Sequence, residues 1–219
     1  MLANNKPFTK IYLSKKTVLD NKTFGKYRDK IGIIDNKKAQ ALSRGGNHQG
    51  ILMEVAEFEP CEFEAVKDSQ FVIVLSEVTD VGNIGAIVRT AHSLGVDAVI
   101  ATGVNSLNFA AIARSSSAAL FDMNFVLEFN ILDVLNELKQ KGFTTYGASK
   151  GGSYIEGVEF AKKSALVLGS EDKGISNKIV KKLDQVVAVR MHREFDSLNV
   201  SVAAGIIMNR IANDDKRVN

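Results

Sequence analysis

Asp196-Ser197-Leu198-Asn199-Val200-Ser201-Val202-Ala203-Ala204-Gly205 sets three small polar residues at alternate positions and runs straight into an apolar helix. In an extended segment Ser197, Asn199 and Ser201 face one side, and Asn199 or Ser201 is suited to cap the helix that Val202 begins. Such a turn can hold a ligand. It can equally be an ordinary polar loop closed by an N-cap, and this segment alone leaves both readings open.

Two further stretches have a related build. Asp80-Val81-Gly82-Asn83-Ile84-Gly85-Ala86-Ile87-Val88-Arg89-Thr90-Ala91 and Leu166-Val167-Leu168-Gly169-Ser170-Glu171-Asp172-Lys173-Gly174-Ile175-Ser176 each read as a strand, a Gly-bearing loop and a helix start. In this order, and with the Ser-Leu-Asn segment third, they resemble the three motifs of the SpoU (TrmH-type) family of RNA ribose 2'-O-methyltransferases, part of the SPOUT class. The resemblance covers roughly residues 70 to 212.

The chain has 219 residues, 45% apolar and 24% charged, enough for one large domain or a small and a medium one, each with a core of its own. A single cysteine, Cys61, excludes an internal disulfide, and His48, His92 and His192 lack metal-site spacing, so no metal is expected. The N-terminal Met1-Leu2-Ala3-Asn4-Asn5-Lys6 lacks the apolar core of a signal peptide, and no stretch approaches the roughly 20 apolar residues of a membrane span. These features predict a soluble protein of the reducing cytosol.

Net charge is only +3, but it is unevenly spread. Residues 1–60 carry 11 Lys and Arg against 6 Asp and Glu, a balance of +5, whereas residues 61–219 carry 17 against 19, a balance of −2. A basic first part suits a polyanion such as RNA, although lysine-rich faces also serve solubility alone.

Along that first part the pattern predicts strands at 10–13, 31–34 and 50–55, a helical or turn stretch around 17–29 and a short helix at 37–42. The polar, Gly-rich Ser43-Arg44-Gly45-Gly46-Asn47-His48-Gln49-Gly50 lets its backbone approach a partner closely. Together with Asn36-Lys37-Lys38 it resembles the end of the L30e-like RNA-binding domain of many SpoU enzymes. Family members usually carry another strand and helix before the Tyr12 strand, so this domain is expected to be abridged or to start late. Residues 58–68 read as a linker, which sets the domains at 1–57, 58–68 and 69–219.

Beyond the linker, short Val- and Ile-rich runs at 71–75, 98–101, 124–127, 144–148, 165–168 and 186–189 suit strands buried on both faces. Helical patterns at 84–94, 109–119, 131–141, 175–183 and 202–211 accompany them. This alternation predicts an α/β domain with an open, mostly parallel, Rossmann-like sheet, its ligands at the carboxyl ends of the strands. The family resemblance further implies a trefoil knot formed by the C-terminal chain, with S-adenosylmethionine bound in the knotted region and a homodimer as the working form.

Read from the residues, Asn83 is a helix N-cap, and Gly85 and Ala86 admit a ligand or another backbone. Arg89 is a surface residue or a fork for phosphate, Glu171 part of a solvated turn, and Ser115-Ser116-Ser117 beside Arg114 a site of tight helix packing or RNA contact. His192 is an exposed structural histidine or a group titrating near neutrality. The resemblance implies that Asn83, Arg89, Glu171, Ser197 and Asn199 are the catalytic set, with Arg89 on RNA phosphate and near the reacting hydroxyl. It implies cofactor contacts at Gly169, Val189 and Leu198, with Met191 as an apolar wall and Ala148 and Ser149 on a neighbouring loop. An arginine stays protonated near neutrality, so Arg89 is expected to fix phosphate and stabilise developing negative charge rather than to act as a base.

The third motif departs from the family, which commonly has Pro and Gly where this chain has Arg190 and Arg193. Within the family the N-terminal part is most like enzymes modifying a guanosine of 23S rRNA, with tRNA the second substrate class. A non-catalytic RNA-binding or assembly module is the alternative from another class. A dehydrogenase reading fails, since GxGxxG is absent.

Overall fold

Phe71, Ile73 and Leu75 face one side of a strand and Val72 and Val74 the other, and all five are buried. The strand therefore needs cover on both faces. The computed structural model describes residues 8–15, 18–193 and 196–214. The Met1 to Lys6 stretch and the start of the 17–29 stretch lie outside them. The chain divides into two units, Met1–Glu57 and Phe58–Asn219.

In the first unit β1 (Lys10–Leu13) pairs parallel with β2 (Ile31–Ile33) and antiparallel with β3 (Ile51–Glu54), in the order β2-β1-β3. Helices α1 (Asn21–Lys26) and α2 (Asn36–Leu42) each begin at an aspartate, Asp20 and Asp35, whose carboxylate accepts from a backbone N–H of the first turn. Phe8, Ile11 and Leu13 form a small core with Phe24, Tyr27, Ile51 and Met53 packed around it.

The second unit contains β4 (Phe71–Ser76), α3 (Val81–Ser93), β5 (Ala98–Thr102), α4 (Phe109–Ser115), β6 (Asn124–Glu128), α5 (Ile131–Gln140), β7 (Thr144–Tyr154), β8 (Ser164–Gly169), α6 (Asn177–Val180), β9 (Gln185–Ala188) and α7 (Val200–Ala212). Its six strands lie in the order β6-β5-β4-β8-β7-β9, and each neighbouring pair is parallel. One face packs Phe71, Ile73 and Leu75 against Ile84, Ile87 and Val88 of α3 and Ile207, Met208 and Ile211 of α7. The other packs Val72 and Val74 against Val134, Leu135 and Leu138 of α5.

This order corrects the Rossmann-like expectation in one respect. The chain runs outward from β4 to β5 and β6, returns as β7 on the far side, and then inserts β8 between β4 and β7. The direction of winding therefore reverses at β4 and β8, and in an open parallel sheet such a reversal opens a crevice for ligands at the carboxyl ends of its strands.

Several local expectations also change. The segment at 58–68 is packed rather than free: Phe58 meets the rings of Phe109 and Phe125 at centroid distances of 5.2 and 6.4 Å, Cys61 N–H donates to Phe125 O at 2.8 Å, and Val66 is fully buried. The helix expected over 109–119 stops at Ser115, because Ser117 and Ala118 turn to φ 53° and 68°. The helix over 175–183 shortens to Asn177–Val180, and Leu183 leaves it to pack where Gly147 has no side chain. β7 continues to Tyr154 through an irregularity in which Ala148 and Ser153 both pair with Val187, so residues 149–152 bulge out.

Candidate active site

Asp80, not Asn83, caps α3: its Oδ1 accepts from Asn83 N–H at 2.7 Å. The helix thus begins almost a turn earlier than expected, and the Asn83 side chain is released from capping. Gly85 lets helices approach, because a Cβ there would lie 1.9 Å from Ser115 Oγ, which donates to Val81 O at 2.8 Å. Gly85 and Ser115 therefore take part in tight helix packing.

Asn199 caps α7, its Oδ1 accepting from Ser201 N–H at 2.9 Å, Ser201 Oγ at 2.6 Å and Val202 N–H at 3.4 Å. With the oxygen so occupied, the amide nitrogen points away from the helix. Asn199 Nδ2 donates to Asn83 Oδ1 at 3.0 Å and to Glu171 Oε1. Asn83 Nδ2 donates to the same Glu171 Oε1 at 3.1 Å, so each side chain touches the other two.

Glu171 is delivered by a tight loop after β8, closed by Gly174 N–H on Ser170 O at 2.8 Å. Gly169 permits that closure, since a Cβ there would lie 2.1 Å from the carbonyl carbon of Gly174. Asn83 follows β4 and Glu171 follows β8, so the network straddles the reversal of winding. Only Oε1 of Glu171 is used within it, which leaves Oε2 to accept from outside.

Three of the five expected catalytic residues are therefore brought together. Arg89 stands on the exposed side of α3 and Ser197 is exposed just before α7, and neither side chain has a hydrogen bond or ion pair among the described residues.

A cleft of about 700 Å³ opens beyond the ends of β7 and β9, lined by Lys150, Gly151, Tyr154 and residues of the stretch from Ala188 to Asp196. Val189 and Met191 line it, as does exposed His192. Ser149 belongs to the same bulge as Lys150 and Gly151 but, like Ala148, Gly169 and Leu198, is not among the lining residues. Sequence reasoning missed Lys150, Gly151 and Tyr154, for which the only signal was a Gly pair beside a strand. Lys150 Nζ lies 4.0 Å from Asp196 Oδ1, and the Arg190 guanidinium stacks 4.0 Å over the Tyr154 ring, which binds the third motif to the end of β7.

Sheet, network and cleft together define an α/β enzyme whose ligands meet at the strand ends. Residues 70–209 match the pattern of the SpoU rRNA methylase family, and residues 1–61 match the RNA 2'-O ribose methyltransferase substrate-binding domain. An uncharacterised tRNA/rRNA methyltransferase of Archaeoglobus fulgidus is 34% identical over 158 residues, 71% of this chain and 70% of that one. A putative TrmH family tRNA/rRNA methyltransferase of Bacillus subtilis, YacO, is 28% identical over 190 residues, 83% of this chain and 76% of that one. The SpoU methyltransferase AviRb of Streptomyces viridochromogenes, crystallised with AdoMet, superposes with a TM-score of 0.75 at 20% identity, over 99% of this chain and 87% of that one. The chain belongs to the SpoU rRNA methylase family and is an RNA methyltransferase.

Proposed function

We propose that the chain transfers a methyl group from S-adenosylmethionine to a ribose 2'-hydroxyl in structured RNA, with a guanosine of 23S rRNA as the first substrate. The observation that carries this reading is the Asn83–Glu171–Asn199 network, which joins all three motifs where the sheet reverses its winding.

The residues present fit the cofactor. A cleft of about 700 Å³ falls within the roughly 300–1,000 Å³ of small-molecule sites, with Ala188, Val189 and Met191 as apolar walls for an adenine. Lys150 and Asp196 supply charges complementary to an amino acid's carboxylate and ammonium. Bound there, S-adenosylmethionine supplies an electrophilic methyl carbon on a sulfonium.

The chain's own residues then act chiefly by positioning, which can supply a large share of the barrier reduction. The Arg89 guanidinium fixes a phosphate next to the target sugar and stabilises the oxygen as negative charge develops on it. Glu171 Oε2 accepts from a group of the nucleotide, while Ser197 and Asn199 flank the reacting hydroxyl. Because Glu171, Ser197 and Asn199 are exposed, the hydroxyl proton leaves through solvent.

The basic first unit contributes RNA affinity through phosphate contacts. Val202 and Ile206, one turn apart on α7 and 50% and 39% exposed, are the apolar face on which we base a homodimer. A trefoil knot of the C-terminal chain and a cytosolic location belong to the same proposal. They rest respectively on the motif resemblance and on the single cysteine.

The test is transfer of labelled methyl from S-adenosylmethionine to 23S rRNA and to bulk tRNA in parallel, with the site located by its resistance to alkaline cleavage. Label at a ribose of rRNA is expected. Label in tRNA alone reassigns the substrate to the other RNA class that the relatives' names carry. No label in either, with cofactor bound, favours a non-catalytic RNA-binding module.

A further inference from the structure

The segment between α2 and β3 holds two non-glycine residues in the left-handed region, Arg44 at φ 50° and Gln49 at φ 49°, each followed by a left-handed glycine, Gly45 at 79° and Gly50 at 91°. Both conformations are enforced by hydrogen bonds. Gly45 N–H donates to Gln40 O at 3.1 Å to close the end of α2, a position that glycine or asparagine ordinarily fills. Ile51 N–H donates to His48 O at 2.9 Å, which makes His48 to Ile51 a turn with positive φ at both central residues, the type I' pattern that favours Asn-Gly or Gly-Gly.

Arginine and glutamine are costly there, and the fold gains nothing visible from them. Both side chains are exposed and have no hydrogen-bond or ion-pair partner among the described residues. The surrounding turn is nevertheless held firmly. Asn47 Oδ1 accepts from Gln49 N–H at 3.3 Å, His48 Nδ1 accepts from Gly50 N–H at 3.0 Å, and Gly50 O accepts from Ser14 N–H, just after β1, at 2.9 Å. Because Nδ1 of His48 is an acceptor, the neutral ring carries its proton on Nε2, a donor left for another partner. Lys15 lies alongside, its Cβ and Cγ 3.5 Å from where a Cβ of Gly50 would sit.

These groups define a ligand. Guanidinium, ammonium and imidazole N–H are donors that suit phosphate oxygens and sugar hydroxyls, whereas the Gln49 amide offers a donor and an acceptor side by side, the pattern that matches a base edge. We propose that Arg44, His48, Gln49 and Lys15 read one unpaired nucleotide of the RNA substrate, with Gln49 on the base edge and Arg44 and Lys15 on flanking phosphates. The proposal rests on the RNA reading above and locates substrate selection in two residues kept against the preference of their own backbone.

The experiment compares the unmodified full chain with Gln49→Ala, Gln49→Asn and Arg44→Asn on whichever of 23S rRNA and bulk tRNA accepts the label. It measures RNA affinity across salt concentrations, S-adenosylhomocysteine affinity by calorimetry, and melting temperature. Gln49→Ala removes the amide with the backbone cost unrelieved and is expected to weaken RNA binding about tenfold or more at an unchanged melting temperature. Gln49→Asn is expected to raise the melting temperature while still weakening RNA binding, because its shorter amide falls short of the base. Arg44→Asn is expected to raise the melting temperature and to reduce the slope of log affinity against log salt by about 0.7. All three should leave S-adenosylhomocysteine affinity within twofold. RNA affinities within twofold of the unmodified chain for all three variants would overturn the proposal while leaving methyl transfer intact. An unmodified chain that labels neither RNA removes the reading beneath it and overturns both.

Discussion

Asn199 Nδ2 donates to Asn83 Oδ1 at 3.0 Å, joining the first turn of α3 to the cap of α7 across 116 residues of chain. One side chain thus does two jobs, since the oxygen of Asn199 starts a helix and its nitrogen assembles the site. Substitution can separate them.

Asn199→Asp keeps a good N-cap but loses the Nδ2 donor and sets a second carboxylate against Glu171. Methyl transfer should fall by about 100-fold or more, by analogy with the loss of a positioned donor, while thermal stability changes little. Asn199→Ala loses the cap as well and should also cost about 1 kcal/mol in stability. Single-turnover transfer and thermal denaturation on the same pair of proteins check both.

Arg89→Ala should abolish methyl transfer while cofactor affinity stays within a few-fold, because the side chain is exposed and makes no hydrogen bond or ion pair among the described residues. Calorimetry with S-adenosylhomocysteine and a transfer assay separate the two effects. Full turnover by this variant would remove Arg89 from the mechanism.

Gly85→Ala places a methyl group 1.9 Å from Ser115 Oγ and 2.9 Å from the Ser115 carbonyl carbon. Helices α3 and α4 must separate to accept it, at a cost of about 1–3 kcal/mol. Denaturant unfolding should show a lower midpoint, and transfer should drop with it because α3 carries Asn83 and Arg89.

Acid should weaken the second unit through Asp184. Burial alone would raise its carboxyl, but hydrogen bonds from Lys139 Nζ at 2.7 Å and from Thr145 N and Oγ1 at 2.9 and 2.7 Å, with the lysine charge, hold it below the ordinary carboxylate range. A depressed folded-state pKa contributes stability that is fully present above the unfolded value of about 3.9 and is lost as pH falls through the folded value. Stability measured from pH 6 downward should therefore decline below about pH 4 in the unmodified chain. Asp184→Asn should show a smaller decline over that window. Equal acid slopes would exclude Asp184.

The strands were legible because runs such as Val72 to Leu75 and Ala165 to Leu168 can only be covered on both faces, and short apolar runs of that kind are strands. The insertion of β8 was not legible, since a strand buried on both faces looks the same from any interior position of a parallel sheet. Asn83 reads as a cap because it precedes the clearest apolar period, but Asp80 lies three residues earlier and accepts the N–H of Asn83. Lys150 and Gly151 were invisible for a different reason. Their place at the cleft depends on Ala148 and Ser153 sharing one partner in β9, a fact of register that no local pattern carries.

The placement of β8 also sets a timetable. Strands β4, β5 and β6 are contiguous in sequence and can pair as soon as they emerge, yet the inner edge of β4, with Val72, Ile73 and Val74 fully buried in the finished fold, has no partner until residue 169 is available. A half-made domain therefore presents a long apolar edge capable of pairing with another chain. Chains ending before β8 should aggregate rather than persist as a smaller folded domain, and lengthening the connection between β7 and β8 should slow folding more than it lowers equilibrium stability. Glu171 and Asn199 come from the last quarter of the chain, so their network with Asn83 can assemble only with the final closure of the sheet.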